Sequence, residues 1–167
     1  MKKLLKYSGF ISLVLVVVAF ILMMATNAIV VGSGNFQAVT KGTTAIFGET
    51  TSTILGDVKT NPSVLALLAW IFILVGLVIV LLGIILPLLK VHALEKFAGV
   101  LNLVAVLLFV VAGVFMFIVV PTFASANSWS STNDVHIGAG WVIGGILSIV
   151  GGVVAILPAA ADFLGKK

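Results

Sequence analysis

The side chains that could carry out acid–base or metal chemistry are few in this chain, and they lie far apart. The two histidines are His92 and His136, and cysteine is absent. Motifs that mark a catalytic or zinc site in a sequence, such as HExxH and GxSxG, do not occur here. His136 follows Asp134 closely, but a solvated loop histidine is the simpler interpretation. We therefore expect no catalytic residue, no metal site, no cofactor and no enzymatic activity.

Two amide side chains, Asn102 and Asn27, fall within apolar segments. In hydrocarbon an amide needs a hydrogen-bonding partner, so Asn102 should face other helices. A structural clasp between helices and a group that coordinates a solute are both open interpretations. All carboxylates and lysines lie at segment ends or in loops. This placement argues against ion-coupled carriers and proton relays, because those proteins keep a titratable group inside the membrane.

Small residues recur every four positions near the end of the chain, at Gly140, Gly144, Ser148 and Gly152. On a helix this spacing produces one shallow groove along a single face. In lipid such grooves let helix backbones approach closely, and they are typical of helix–helix contacts. The sequence therefore predicts a packing face. It leaves open whether the face meets another helix of the same chain or a second protein.

Four long apolar segments without a charged residue must position these side chains. Hydrophobic residues make up 62% of the 167-residue chain and charged residues 8%. A helix of about 20 residues crosses the roughly 30 Å hydrocarbon layer of a bilayer, and each segment is long enough. The sequence predicts an all-α integral membrane protein, a four-transmembrane-helix bundle that forms a single membrane domain, 1–167. The predicted spans cover about residues 7–31, 64–89, 97–120 and 137–161.

Three connections join the predicted spans. The first outer loop, residues 32–63, is the largest and is rich in Thr, Gly and Ser. The inner turn covers residues 90–96 and the second outer loop residues 122–136, and Pro121 and Pro158 are expected to mark the ends of spans three and four. Parts of the first loop have the composition of strands, so a small β-hairpin or ribbon and a mobile loop are both open interpretations. These parts are residues 36–40, 43–47 and 50–55.

The distribution of lysines and tryptophans predicts the orientation. Seven of the nine lysines lie before span one, around the inner turn or after span four, and only Lys41 and Lys59 lie in the outer loops. By the positive-inside rule, both termini are expected in the cytoplasm of a multi-pass protein of the cell membrane. Trp70, Trp129 and Trp141 all lie toward the outer side, where indole rings act as interfacial anchors with the N–H at the headgroups.

The basic residues do not suggest a nucleic-acid partner. The net charge is +4, but all nine basic residues are lysines and arginine is absent. Arginine is the usual ligand of phosphates and base edges, because its planar fork binds both with paired hydrogen bonds. We therefore expect the lipid bilayer, and no nucleic acid, as the surrounding partner.

The arrangement of spans and loops resembles a known group of proteins. Shared features are four spans, both termini inside, a larger first outer loop, a short inner turn and a smaller second loop. The exit from span three, Pro121-Thr122-Phe123-Ala124-Ser125-Ala126-Asn127, and the glycine-rich span four are also similar. In architecture the chain resembles the claudin and peripheral-myelin-protein tetraspan superfamily. The resemblance implies no residue role, because the Trp…Gly-Leu-Trp…Cys…Cys signature of claudins is absent from residues 32–63.

Two functional hypotheses follow from the sequence. The first is a non-enzymatic four-span membrane protein that acts through helix–helix or outer-loop contacts as a scaffold, assembly or accessory subunit. Its partners would be further copies in a homo-oligomer or another membrane protein. The alternative is a channel or facilitator subunit for a small solute, with Asn102, Ser148 and Asn27 lining a path through an oligomer.

Overall fold

Long helices and a small β-rich region make up the computed structural model of the protein. The structure describes residues 2–32, 37–54, 56–88, 98–129 and 134–164. The helices in this part of the chain are α1 (Lys2–Ala25), α2 (Gly42–Phe47), α3 (Val64–Leu88), α4 (Ala98–Phe117), α5 (Val119–Ala126) and α6 (Ala139–Leu164). The strands are β1 (Asn27–Val31), β2 (Ala38–Lys41), β3 (Glu49–Thr53), β4 (Gly56–Thr60) and β5 (Val135–Ile137). The predicted inner turn, residues 90–96, lies outside the described residues.

Four of these helices, α1, α3, α4 and α6, are long and apolar enough to cross a membrane. The apolar segments run over Ser8–Ala25, Val64–Ile85, Gly99–Phe117 and Ala139–Leu157. Side chains on the outside of the bundle are mostly Val, Ile and Leu, and Leu107, for example, is 65% exposed. Such an apolar exterior is compatible with lipid. The helices also satisfy their own backbone polar groups, as the hydrocarbon layer requires. The prediction of a four-helix membrane bundle is confirmed.

The long helices pack side by side, with α6 between α1 and α4 and with α3 against α4. Neighbouring helices are antiparallel: Ser12 in α1 contacts Gly151 in the second half of α6, whereas Met23 contacts Trp141 at the start of α6. The end of α1 and the starts of α3 and α6 therefore lie at one end of the bundle. We call this end, which carries α2, α5 and β1–β5, the sheet end. The buried core includes Phe109 of α4.

Strands from two connections meet at the sheet end: β1–β4 lie between α1 and α3, and β5 lies between α5 and α6. A three-stranded antiparallel sheet has the order β2-β1-β5, with Ile29 opposite Thr40 on one side and opposite Ile137 on the other. The strands β3 and β4 form a separate antiparallel hairpin. Of the two open interpretations of the connection between the first two long helices, the one with short strands is confirmed.

The first helix is shorter than predicted. It ends at Ala25, and residues 27–31 form β1, although the sequence predicts one span over residues 7–31. The Thr26 N–H and hydroxyl both donate to the Leu22 carbonyl, but the Thr26 carbonyl accepts from the Gly42 N–H at 2.8 Å and not from a further turn of helix. In the segment Ala-Ile-Val-Val that follows, the last three residues are β-branched, which fits a strand. Hydropathy does not distinguish such a strand from the last turns of a membrane helix.

Two other segments differ from the sequence-based expectation. Residues 43–47 have strand-like composition but belong to α2, whose Ala45 and Ile46 are fully buried. Tertiary burial therefore overrides local β propensity at this position. Residues 135–137, which were assigned largely to the second outer loop, form β5 because β1 offers them an antiparallel partner. The helix of the fourth span, α6, therefore begins at Ala139. It continues to Leu164 and so passes Pro158, which was expected to mark its end.

The third span ends near Pro121, as predicted, but the chain is helical again beyond it. The helix α4 ends at Phe117, and after a break at Ile118, where φ is −108° and ψ is 20°, α5 continues to Ala126. Proline lacks the N–H that would bond the carbonyl of Phe117, and its ring collides with that carbonyl in a continuous helix. Pro121 therefore separates α4 from α5. It fits in the first turn of α5, where a backbone N–H would have no partner within the helix.

Candidate functional site

The predicted small-residue face of α6 packs inside the chain. Gly144 lies between α1 and α4, because a Cβ added there would be 2.9 Å from Met116 Cε and 3.3 Å from the Ala19 carbonyl oxygen. Gly152 lies against α4, where an added Cβ would be 3.1 Å from the Val106 carbonyl oxygen. Gly140 meets the Thr26 side chain at the end of α1. In the described chain the groove is therefore occupied by α1 and α4.

Two buried serines connect α6 to its neighbours by hydrogen bonds. The Ser148 hydroxyl donates to the Phe109 carbonyl of α4 at 2.8 Å. The Ser12 hydroxyl of α1 donates to the Gly151 carbonyl of α6 at 2.7 Å. Both serines are fully buried. Hydrogen bonds between membrane helices contribute about 0.6–1.7 kcal/mol each, so these two reinforce the small-residue packing.

Trp141 has an environment that differs from the expected interfacial one. Its side chain is fully buried, and its indole N–H donates to the Met23 carbonyl at 2.9 Å. The last carbonyls of a helix have no partner within the helix. Because α1 ends at Ala25, the carbonyl of Met23 needs a donor from elsewhere, and Trp141 supplies it. The residue joins α6 to α1 rather than placing its N–H among headgroups.

Trp70 and Trp129 lie at the sheet end and are partly buried. Trp70 packs edge-to-face against Phe47 of α2, with ring centroids 5.1 Å apart, and Trp129 packs similarly on Phe123 at 5.4 Å. The Nε1 atom of Trp70 is buried and has no hydrogen-bond partner among the described residues. Both rings therefore hold the short helices α2 and α5 in place. Their role as interfacial anchors stays a prediction.

The two predicted intramembrane amides occupy different parts of the fold. Asn102 is partly buried in α4 and faces α3, where its Oδ1 lies 3.2 Å from the position of a Cβ added at Gly83. Asn27 is exposed at the first position of β1, beyond the end of the membrane-spanning helix at Ala25. The assignment of Asn27 to a span is therefore corrected, for the same reason that shortens α1. The structure does not bring Asn102, Asn27 and Ser148 together.

Two asparagines that the sequence did not single out, Asn61 and Asn127, join the connection before α3 to the one after α5 by hydrogen bonds. The Asn61 backbone N–H donates to Asn127 Oδ1 at 2.8 Å, and Asn127 Nδ2 donates to the Asn61 carbonyl at 3.0 Å. Asn61 Nδ2 also donates to the Ala126 carbonyl at 2.9 Å. Nearby, the hydroxyls of Ser63 and Thr122 are hydrogen-bonded at 2.6 Å. These bonds fix the start of α3 to α5.

The β3–β4 hairpin projects from this fixed base. All residues of β3 are exposed, as are those of β4 apart from the partly buried Thr60. Ile54 at the turn is fully exposed. At the base, the Thr44 hydroxyl of α2 donates to Glu49 Oε2 at 2.6 Å, and Gly48 has a φ of 75°, which favours glycine. The hairpin is thus anchored at one end and open on its faces.

The described residues contain no group of three His, Cys, Asp or Glu side chains that could hold a metal ion. A search against models of known protein families finds no match, and a search of curated proteins finds no similar sequence. The structure itself defines the class: a multi-pass membrane protein of tetraspan architecture, with four long apolar helices and small antiparallel sheets between the first two.

Proposed function

We propose that this chain is a non-enzymatic scaffold, assembly or accessory subunit of the cell membrane that contacts its partners through the sheet end. The observation that carries the proposal is the exposed β3–β4 hairpin on a fixed base. In the proposed orientation both termini are cytoplasmic and the sheet end faces outward, as the lysine distribution predicts.

The packing of α6 supports contacts through the sheet end rather than through the small-residue groove. Gly144 and Gly152 are covered by α1 and α4, and Ser148 is bonded to α4. A second protein would have to displace these helices to reach the groove. The remaining outer surfaces of the long helices are apolar and suit lipid without further partners.

The hydrogen bonds at the sheet end support the same role. A scaffold must hold its contact surface in a defined position, since ordering a mobile loop on binding costs free energy. The paired amides of Asn61 and Asn127 and the Ser63–Thr122 hydroxyl pair fix the base from which the hairpin projects. A relationship to the claudin and peripheral-myelin-protein superfamily is part of this proposal and is supported by architecture alone.

The test compares wild-type protein with a variant in which residues 50–59 are replaced by two glycines. Both are purified from native membranes in mild detergent, and co-purifying proteins and oligomeric state are measured. We expect the variant to insert and fold but to lose its partners, because α1, α3, α4 and α6 are unchanged. The matched control Ile54→Ser alters only the turn and keeps both strands. Wild-type protein that is monomeric and brings down no partner would contradict the proposal.

A channel or facilitator subunit is the second candidate, and it has less support. Of the three side chains that the sequence suggested for a solute path, Ser148 is bonded to the Phe109 carbonyl and Asn27 lies outside the spans. The third, Asn102, lies on α4 and is partly buried against α3. Liposomes that contain the protein and leak ions or neutral solutes faster than empty ones would favour this candidate.

A further inference from the structure

Four strands at the sheet end, β2, β3, β4 and β5, each have one edge with no strand beside it within the described chain. Two of these edges, on β2 and β3, flank the helix α2 along the chain. The strand β2 pairs with β1 on one side, and β3 pairs with β4 on one side. Most of β2 and all of β3 are exposed. The free edge of a strand presents N–H and C=O groups that can pair with a further strand. A two-stranded hairpin such as β3–β4 is only marginally stable in water without a third strand or a covering element.

The helix α2 keeps these two edges apart within one chain. It follows β2 directly and precedes β3 by one residue, and its residues Gly42, Thr44, Ala45 and Ile46 are buried. Hydrogen bonds from the Gly42 N–H to the Thr26 carbonyl and from the Ser63 N–H to the Ala45 carbonyl, both 2.8 Å, fix it to the bundle. The strands β2 and β3 belong to different sheets and are not paired with each other.

The sequences of the two edges match in an antiparallel alignment. When Lys41 is placed opposite Glu49, Thr40 lies opposite Thr50 and Val39 opposite Thr51. Opposite charges, threonine pairs and β-branched pairs are the cross-strand combinations that stabilise sheets. Lys41 and Glu49 are both exposed; Glu49 Oε2 accepts from the Thr44 hydroxyl, so that the charge pair would use the other carboxylate oxygen, Oε1. A shift of one residue would remove the charge pair and reverse the faces of the strand.

We propose that β2 of one copy pairs with β3 of a second copy, antiparallel and with Lys41 opposite Glu49. The partner is a second copy because the two complementary edges belong to the same sequence but are held apart in each chain. The contact extends the three-stranded sheet of one copy by the hairpin of the other, in the order β5-β1-β2-β3-β4. This inference rests on the proposed role in assembly and names its surface.

The first test uses engineered thiols, which have no background because the chain lacks cysteine. Thr40→Cys and Thr50→Cys are placed in separate copies with different tags, co-expressed and oxidised mildly in the membrane. Directly opposed residues have Cα atoms about 4.5–5.5 Å apart, within the range of a disulfide. We expect a cross-linked heterodimer for this pair. The control pair of Thr40→Cys with Ile54→Cys is expected to lose that band, since Ile54 lies beyond the overlap.

The second test reverses the charge pair. Lys41→Glu alone and Glu49→Lys alone should each reduce the yield of the Thr40→Cys–Thr50→Cys heterodimer, and the two reversals in one chain should restore it. The inference is overturned if both thiols react with maleimide but form no heterodimer. The inference is also overturned if the heterodimer yield equals that of the Ile54→Cys control. The same holds if the double charge reversal does not restore the yield.

The outcomes also separate this inference from the proposed function. If a protein of another sequence co-purifies but no heterodimer forms, the edge is covered by that protein or stays open. The second-copy inference is then wrong, while the scaffold proposal stands. If the protein is monomeric and brings down nothing, both are wrong.

Discussion

The hydrogen bond from Trp141 to the Met23 carbonyl gives the sharpest stability prediction. Trp141→Phe keeps an aromatic ring but removes the indole N–H that donates at 2.9 Å. The carbonyl then remains buried without its donor, which costs about 1–3 kcal/mol. The smaller ring leaves a cavity that adds on the order of 1 kcal/mol. We therefore expect the free energy of unfolding to fall by about 2–4 kcal/mol in total.

The matched control is Trp70→Phe. Its Nε1 atom is also buried but has no hydrogen-bond partner among the described residues, so that its removal leaves no carbonyl unpaired. Both variants are unfolded reversibly with sodium dodecyl sulfate in mixed micelles and followed by circular dichroism. The loss for Trp141→Phe should exceed that for Trp70→Phe by at least about 1 kcal/mol. Equal losses, or a neutral Trp141→Phe, would refute the reasoning that this indole completes the end of α1.

Three further variants test the packing and the sheet end. Gly144→Leu should lower the free energy of unfolding in the same assay by more than about 2 kcal/mol, because the new side chain meets Met116 and the α1 backbone; an unchanged value would contradict the packing of α6 between α1 and α4. Ser148→Ala should cost about 0.6–1.7 kcal/mol, and a neutral result would mean that its bond to α4 contributes nothing. Asn127→Ala should speed proteolysis of residues 37–60 while leaving the membrane helices intact. Unchanged cleavage would mean that the hydrogen bonds between Asn61 and Asn127 do not hold this segment in place.

Hydropathy was sufficient to predict the four long helices because a bilayer demands about 20 apolar residues from each span. It could not place the end of α1, since the apolar residues of β1 satisfy the same criterion while lying in a sheet. Strand-like composition located β3 correctly but misassigned α2, whose conformation depends on burial against distant elements. Local sequence carries no information about such burial.

The candidate site shows the same limit. The spacing of Gly140, Gly144, Ser148 and Gly152 predicted a packing face, but only the fold identifies α1 and α4 as its neighbours. A tryptophan near the end of a span has the same sequence context whether it faces lipid or the core, so that Trp141 was expected at the interface. The pairing of two asparagines from different connections leaves no local pattern at all.

The pairing of β1 with β5 has a consequence for biogenesis. The first of these strands is made directly after α1, but the second is made only after α3 and α4. During synthesis, the edge of β1 that pairs with β5 therefore has no partner until most of the polypeptide has been made. A nascent chain halted after α5 would carry that open edge, with which another extended segment can pair until β5 emerges.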